Sequence, residues 1–349
     1  MQWRDELTRR FPKLARLGPD CYVVGGAIRD LLLGREPADV DVACLDPLSE
    51  AKKIRDRVIR LGDEEHLSAY RVADNDHVYD FAELLDHDLD TDLARRDFTV
   101  NAMAIVLADD ALIDPHGGRR DVELRLVRMV RASNFDDDPL RTLKGVRMAV
   151  KYGFEMDSET LDAIRERASR IRDVATERVT YELSVIFSSN AFRRAVDLLD
   201  RTGLATALGF KPVQAQVDDL SLAASYALLV DDPRAYGEQW RWSEALGREV
   251  LTLQRLVQQH DRLALYDAGE TIARQLPPLL GDQQLDWPDF AIKALLSGEE
   301  IASLTGLTPG KELGELKRKL VEAQVRGEVR TREEAVEFLS SHHLSPPSS

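Results

Sequence analysis

At 349 residues the chain is too long for one compact core, which predicts two or more domains. Hydrophobic content of 44% with only 6% aromatic residues is the balance of a soluble, helix-rich protein, and no apolar run approaches the ~20 residues that span a membrane. Formal net charge is −15, from 47 Lys and Arg against 62 Asp and Glu, which alone argues against a nucleic-acid partner. The acid is unevenly spread, however. Much of it lies in one block, Asp74 to Asp97, whereas Leu140–Arg172 holds eight basic residues against five acidic and Lys311–Arg332 seven against four. The two cysteines, Cys21 and Cys44, sit in apolar stretches and suit neither a disulfide framework nor a metal site, so a reducing cytoplasm is expected. The start, MQWRDELTRR, lacks the apolar core of a signal peptide.

In chain order, residues 1–16 predict an amphipathic helix with Leu7, Phe11 and Leu14 on one face. A strand at Cys21–Val24, the Gly25-Gly26 turn and a helix ending near Gly34 come next. A second strand, Val40–Cys44, is flanked and entered by Asp39 and Asp41, and 48–61 reads as a helix. Strands near Leu67–Val72 and His77–Leu84 flank the turn signal Asp74-Asn75-Asp76. From Asp138 onward helical spacing dominates, predicting helices over 138–153, 157–169, 175–188 and 190–201, then a mostly helical 215–340. Pro277-Pro278 and Asp282–Pro288 read as loops, and the terminal SPPSS as disordered.

Two clusters carry chemistry. Gly25-Gly26, followed by Ala27, Ile28, Arg29 and Asp30, lets the backbone approach a phosphate at a helix start; taken alone, it reads first as a plain glycine turn. Asp39-Val40-Asp41 places two carboxylates on one face of a strand, with Val40 turned into the core. Hard carboxylate oxygens suit Mg²⁺, although two acids at a strand end are also common without a metal.

The run Tyr22–Cys44, YVVGGAIRDLLLGREPADVDVAC, resembles motif A of the polymerase-β superfamily, specifically of class II tRNA nucleotidyltransferases and bacterial poly(A) polymerases. The resemblance continues in order through Arg95-Arg96-Asp97-Phe98-Thr99-Val100-Asn101-Ala102, then Asp114-Pro115-His116-Gly117-Gly118 with Asp121. It goes on through Asp137-Asp138-Pro139-Leu140-Arg141 and Glu177-Arg178 with Glu182, and residues 298–339 resemble the family's tail. Five motifs in one order over 22–182 make coincidence remote.

The resemblance implies an α+β architecture: a polymerase-β-type catalytic head with a mixed sheet over 1–130, then all-helical segments. These are a neck with the nucleobase-selecting motif at 131–189, a body at 190–290, a tRNA-binding tail at 291–340 and a disordered end at 341–349. Asp39 and Asp41 would hold two Mg²⁺ ions between the primer 3′-hydroxyl and the nucleotide α-phosphate, with Asp80 a candidate third carboxylate or a plain exposed strand acid. Arg29, Arg95 and Arg96 would meet the triphosphate beside Gly25 and Gly26. Asp97 and Asn101, four apart on an expected helix, would face the ribose, unless Asp97 is a helix cap. Lys144, Arg147, Glu177 and Arg178 complete the implied nucleotide site. Asp138 and Arg141, three apart on an expected helical face, would select the base. A carboxylate only accepts and a guanidinium only donates, which suits the amine and ring nitrogen of cytosine or adenine and mismatches uracil and guanine. An ordinary i,i+3 ion pair is the plainer alternative. The implied partners are the tRNA 3′ end and acceptor arm, with CTP and, as a second candidate, ATP; no membrane is involved.

Departures from the family are Asp137 for Glu, Lys144 for Arg and His116 for an aromatic. Only fourteen residues separate Asp80 from Arg95, where members that add the whole CCA carry a longer flexible loop, so a CC-adding enzyme is expected. Alternatives are a complete CCA-adding enzyme, a poly(A) polymerase, which usually has an additional basic tail, or a non-catalytic RNA-binding paralogue, which should have lost a metal carboxylate. A phosphohydrolase of the HD type would have to use His260-Asp261, which reads instead as a solvated helix end.

Overall fold

The computed structural model describes residues 2–61, 69–74, 76–214, 216–281 and 283–343. Trp3 and Leu7 anchor the first helix, α1 (Trp3–Arg10). It is shorter than the expected 1–16: Pro12 has no N–H to continue the ladder, and Pro12–Arg16 forms a short 3₁₀ segment. Strand β1 (Cys21–Val24) leads through the glycine turn into α2 (Gly26–Leu32), and β2 (Asp39–Cys44) into α3 (Pro47–Ile54). The helix expected over 48–61 stops at Ile54. Ile59–Leu61 is instead an edge strand, β3, because pairing with β4 (Ala69–Ala73) overrides the local helical spacing. Leu67 and Ser68 of the expected strand, Asn75 of the turn and Asp282 lie outside the described residues. The next strand, β5 (Val78–Glu83), runs as expected.

One seven-stranded sheet results, in the order β3-β4-β5-β2-β1-β6-β7. Its last two members, β6 (Ala104–Val106) and β7 (Ala111–Ile113), were not foreseen; three residues are too few to show an alternation. Within this sheet β2 and β5 pair in parallel and the other neighbours antiparallel, which is the expected mixed sheet. The two faces differ. Val23, Val40, Val42, Val72, Tyr79 and Phe81 are all buried on one, where Phe11 meets Tyr79 edge-on. Cys21 and Cys44 are register partners on that face, both buried and both free thiols. On the other face Val24, Ala43 and Ala104 pack with Leu93 of α4 (Leu89–Ala94), while Asp39 and Asp41 of β2, Asp80 of β5 and Arg71 of β4 make its polar part.

After α5 (Gly118–Glu123) and a two-residue strand β8 (Leu126–Val127), paired in parallel with β9 (Glu155–Met156), the chain turns helical. The helices α6 (Asn134–Asp137), α7 (Leu140–Tyr152), α8 (Ser158–Arg167), α9 (Thr176–Phe187), α10 (Phe192–Arg201) and α11 (Leu204–Leu208) follow. The four longest keep within two residues of their expected limits. Gly145 lets α7 dock: a Cβ there would lie 3.0 Å from Phe98 Cζ and 3.1 Å from Ile164 Cδ1.

The chain divides into two compact units, Met1–Pro212 and Val213–Ser349. The second is helical, as expected: α12 (Leu222–Leu229), α13 (Pro233–Gln239), α14 (Glu244–Gln258), α15 (Arg262–Ala268), α16 (Glu270–Ala273), α17 (Pro277–Leu280), α18 (Gly298–Thr305), α19 (Lys311–Arg326) and α20 (Arg332–His343). One apolar cluster joins Leu296, Ile301, Leu316, Leu320 and Leu339; another gathers Leu256, Leu265 and Leu276. Pro277-Pro278, expected as a loop, begins α17, where the missing N–H costs nothing in a first turn. Residues 341–343, expected to be disordered, belong to α20; 344–349 lie outside the described residues. Among the described residues no helix is long and apolar enough to cross a membrane.

Candidate active site

The glycine turn is a close-packed junction. Gly25 has φ +78°, and a Cβ on it would lie 3.1 Å from Arg96 Nη1 and 3.2 Å from Asp41 Oδ2. Both the backbone conformation and the space therefore demand glycine. Asp41 is half-buried on β2. Burial pushes its carboxyl up to about 6, with Arg96 opposing the rise and Asp39 and Asp80 reinforcing it. Asp39 is exposed at the open end of the same face. A divalent cation fits this donor set, since it would offset the burial and the neighbouring Asp39 and Asp80 charges that raise Asp41. Asp80 stands beside Asp41 across the parallel pair, but both its oxygens are engaged by Arg71, at 2.7 Å from Nε and 2.6 Å from Nη2. Among the described residues no group of three His, Cys, Asp or Glu could hold a metal ion unaided. Substrate oxygens would have to complete the coordination.

Arg95 and Arg96 share one carboxylate that sequence reasoning missed, Asp92 on α4, only 1% exposed. It accepts from Arg95 Nη2 at 2.7 Å and from Arg96 Nη2 at 3.0 Å. Burial works to raise its pKa, but Arg96 and Arg95 outweigh it and hold the carboxyl low. The spacing i, i+3, i+4 in DLARR was the available signal. The two arginines then part: Arg96 lines the site, whereas Arg95 lines a second cavity of about 420 Å³ with Thr91, Arg131 and Asn134.

Asp97 and Asn101 are not on an α-helix, as the spacing had suggested. Phe98 is extended, Thr99–Asn101 is one 3₁₀ turn, and Asp97 makes no helix cap. They meet nonetheless, because Asn101 Nδ2 donates to Asp97 Oδ1 at 3.0 Å. Asn101 Oδ1 accepts from Arg29 Nη1, while Arg29 Nη2 donates to Asp30 at 2.9 Å and to the Tyr152 hydroxyl at 2.6 Å. The Arg29 guanidinium also lies 4.4 Å from the centre of the Tyr152 ring. The Asp114–Gly118 segment buttresses this turn from behind. A Cβ on Gly118 would collide with the Thr99 carbonyl, and Thr99 Oγ1 donates to buried Asp121 at 2.7 Å.

On the opposite wall, Arg141, Lys144 and Arg147 repeat every three residues along α7 and all line the site. Asp138 is not on their helix. Its backbone is extended (φ −141°, ψ 96°), and the bend this makes just before Pro139, not a shared helical face, brings it to the same wall as Arg141. Nor do the two pair with each other: Asp138 Oδ2 accepts from Arg178 Nη2 at 2.9 Å, and Arg141 Nη1 donates to the Asn134 carbonyl at 2.9 Å. Burial tends to raise the Asp138 carboxyl, but Arg178 and Lys144 bring it below the usual range. Glu182 is buried 3.1 Å from Arg147 Nε; burial raises its carboxyl against the pull of Arg147 and Lys144. Glu177 and Arg178 are exposed on α9, outside the cavity lining.

The cavity so formed measures about 370 Å³ and is lined by Gly25, Gly26, Arg29, Asp41, Arg96, Asp97, Asn101, Asp138, Arg141, Lys144 and Arg147. Five cations face three carboxylates there, so an acidic protein has a cationic pocket. His260 and Asp261 do other work: the first bonds the Leu256 carbonyl at 3.1 Å, and the second caps α15.

Residues 21–128 match the poly A polymerase head domain, and 153–213 match the probable RNA and SrmB-binding site of polymerase A. An A-adding tRNA nucleotidyltransferase of Deinococcus radiodurans is 28% identical over 98% of this chain and 100% of its own length. A CC-adding tRNA nucleotidyltransferase of Synechocystis is 39% identical over 50% of this chain and 44% of its own. The crystal structure of the Bacillus stearothermophilus CCA-adding enzyme in complex with CTP superposes with a TM-score of 0.72, at 25% identity, over 97% of each chain.

Proposed function

We propose that this chain, which belongs to the class II tRNA nucleotidyltransferase and bacterial poly(A) polymerase family of the polymerase-β superfamily, adds nucleotides to the tRNA 3′ end without a nucleic-acid template. The observation that carries the reading is one cavity whose wall unites Asp41, Arg96, Asp138 and Arg141. It joins a metal-binding carboxylate, a phosphate-binding cation and a donor–acceptor pair suited to a base edge.

Asp39 and Asp41 are the residues that would hold Mg²⁺, which when bound lowers the pKa of an attacking hydroxyl and neutralises a departing pyrophosphate. Arg96 and Arg29 present guanidinium groups to the triphosphate, and the bare backbone of Gly25-Gly26 allows it close approach. Asn101, fixed by Asp97 and Arg29, offers its amide to the ribose. Arg95 acts indirectly, sharing Asp92 with Arg96. Asp80 is kept as a third carboxylate that a substrate complex would free from Arg71. Asp138 accepts the exocyclic amine of cytosine and Arg141 donates to its ring nitrogen; uracil leaves both mismatched, at about 1–3 kcal/mol for each unpaired polar group. Lys144 and Arg147 add positive charge, and Glu177 and Arg178 support this wall from α9, Arg178 through Asp138. The head (1–130), neck (131–189), body (190–290) and tail (291–340) divide the work, with the helical segments holding the acceptor arm by shape and phosphate contacts.

The product we propose is restricted to two cytidines. Between Phe81 and Ala94 the chain passes from β5 through a 3₁₀ turn at Leu85–His87 directly into α4, which leaves no long mobile loop to re-aim the base-reading pair for adenine. A second reading, addition of the terminal adenosine alone, has the nearly full-length likeness to the Deinococcus enzyme in its favour. Incubating tRNA trimmed to the discriminator base, and tRNA ending in CC, with CTP and ATP decides between them. The expected product is two nucleotides longer, from the trimmed tRNA only. Three added nucleotides ending in adenosine would indicate full CCA synthesis, one adenosine on the CC-ended tRNA alone the second reading, and an adenosine ladder a poly(A) polymerase. No addition under any condition would overturn nucleotidyl transfer.

A further inference from the structure

One carbonyl oxygen, that of Asn134, receives both members of the base-reading pair. Arg141 Nη1 donates to it at 2.9 Å and the Asp138 main-chain N–H at 3.3 Å. The side chain of the same residue reaches the phosphate-binding turn: Nδ2 donates to the Ala94 carbonyl at 2.9 Å and to the Arg96 carbonyl at 2.7 Å. Asn134 is 4% exposed, so water does not compete for these bonds. Both protons of the amide meet acceptors, a role that carboxylates and hydroxyls cannot fill in full. The helix it begins, α6, has four residues and no side-chain cap at Ser133, too little to hold its own register.

We propose that Asn134 is a positioning residue for base selection: its amide ties the carbonyl that sets Asp138 and Arg141 to the turn that carries Arg96. The distance from triphosphate to base edge is thereby fixed by one residue, so a pyrimidine with the wrong edge cannot shift into register. The proposal rests on the nucleotidyl-transfer reading above and adds a residue outside the lining of its cavity. It also explains why neither selector needs the other as a partner.

The test measures binding of CTP and UTP to the full chain in Mg²⁺, and their incorporation into end-trimmed tRNA, for wild type, Asn134→Ala, Arg141→Ala and the double variant. Asn134→Ala should lower the preference for CTP over UTP roughly tenfold, while affinity for inorganic triphosphate changes by less than about twofold. In the Arg141→Ala background the same change should cost clearly less preference than it does alone, because part of its effect passes through that guanidinium. An equal fall for both nucleotides, or an additive loss in the double variant, would mark a merely structural residue and overturn the assignment. If Asn134→Ala does not fold, Asn134→Ser, which keeps one donor, is judged by the same two outcomes. A wild type that transfers nothing would overturn the functional reading itself. A wild type that discriminates, with a variant that discriminates equally, overturns only the role of Asn134.

Discussion

The two walls of the cavity are held in different ways. On the proposed phosphate side the cations are held by several partners each or by a buried one: Arg96 and Arg95 by buried Asp92, Arg29 by half-buried Asp30, Asn101 and the Tyr152 hydroxyl. On the proposed base side Asp138 is held by Arg178, whose side chain is 50% exposed, and Arg141 by a single main-chain carbonyl. A triphosphate has the same shape whichever base it carries, so its receptor gains from rigidity. For the proposed base reading, Asp138 would exchange Arg178 for the edge of the base, and a partner near water is cheaper to exchange, whereas Arg141 can keep the Asn134 carbonyl on Nη1 and offer its other N–H groups. Rigidity and exchangeability therefore sit on opposite faces of one pocket.

Four changes break or sharpen this contrast, from the largest effect to the smallest. Asp39→Asn or Asp41→Asn should lower nucleotide addition by on the order of 10³-fold or more, since metal assistance contributes several kcal/mol at nearly constant side-chain volume. Near-normal single-turnover rates in Mg²⁺ would remove both residues from the chemistry. Asp92→Ala should act on the phosphate wall as a whole, leaving two guanidinium groups without their shared carboxylate. A destabilisation of roughly 3–5 kcal/mol is expected in denaturant melts, with weaker triphosphate binding. A stable Asp92→Ala protein with unchanged triphosphate affinity would show that wall to be less dependent on its buried acid than its geometry indicates.

On the exchangeable wall, Asp138→Ala or Arg141→Ala should leave the fold nearly untouched and lower the preference for CTP over UTP by about 10–100-fold. Competition assays with both nucleotides would show it, and unchanged misincorporation would remove the pair from base selection.

The smallest effect concerns Asp41 in the metal-free protein. Its folded pKa, about 6, lies above the ordinary carboxylate value of 3.8, so the folded state holds its proton more tightly than the unfolded one. Stability contributed by this group is present below the unfolded value and lost as pH rises to about 6. Asp41→Asn should therefore raise the melting temperature above pH 6 by a few degrees, at roughly 2–4 °C per kcal/mol for a unit of this size, and hardly change it at pH 4. Equal melting curves at pH 7.5 in a chelator would contradict the cost of burying the Asp41 charge beside Asp39 and Asp80.

Local patterns were enough to place the candidate carboxylates on one face. Alternation along β2 put Asp39 and Asp41 on one face and Val40 on the other, because a strand has a period of two whatever it packs against. The neck helices followed from helical spacing for the same reason, whereas Lys144 and Arg147 were named through the family resemblance and α7 aligned them with Arg141. Such rules depend only on neighbours in the chain. What depends on distant segments was decided by tertiary structure. Ile59–Leu61 became a strand because β4 was there to pair with it, and Asp80 was taken by Arg71 across the next pairing, β4 with β5. Arg95 was turned into a second cavity, and Asp138 reached Arg141 through a bend instead of a helix. Asn134, fifth from the end of a strongly charged run of ordinary appearance, gained its place only when the turn at 94–96 came within reach of its amide. A side chain's type can be read from sequence; which buried carbonyl or carboxylate satisfies it is settled by what the folded chain brings beside it.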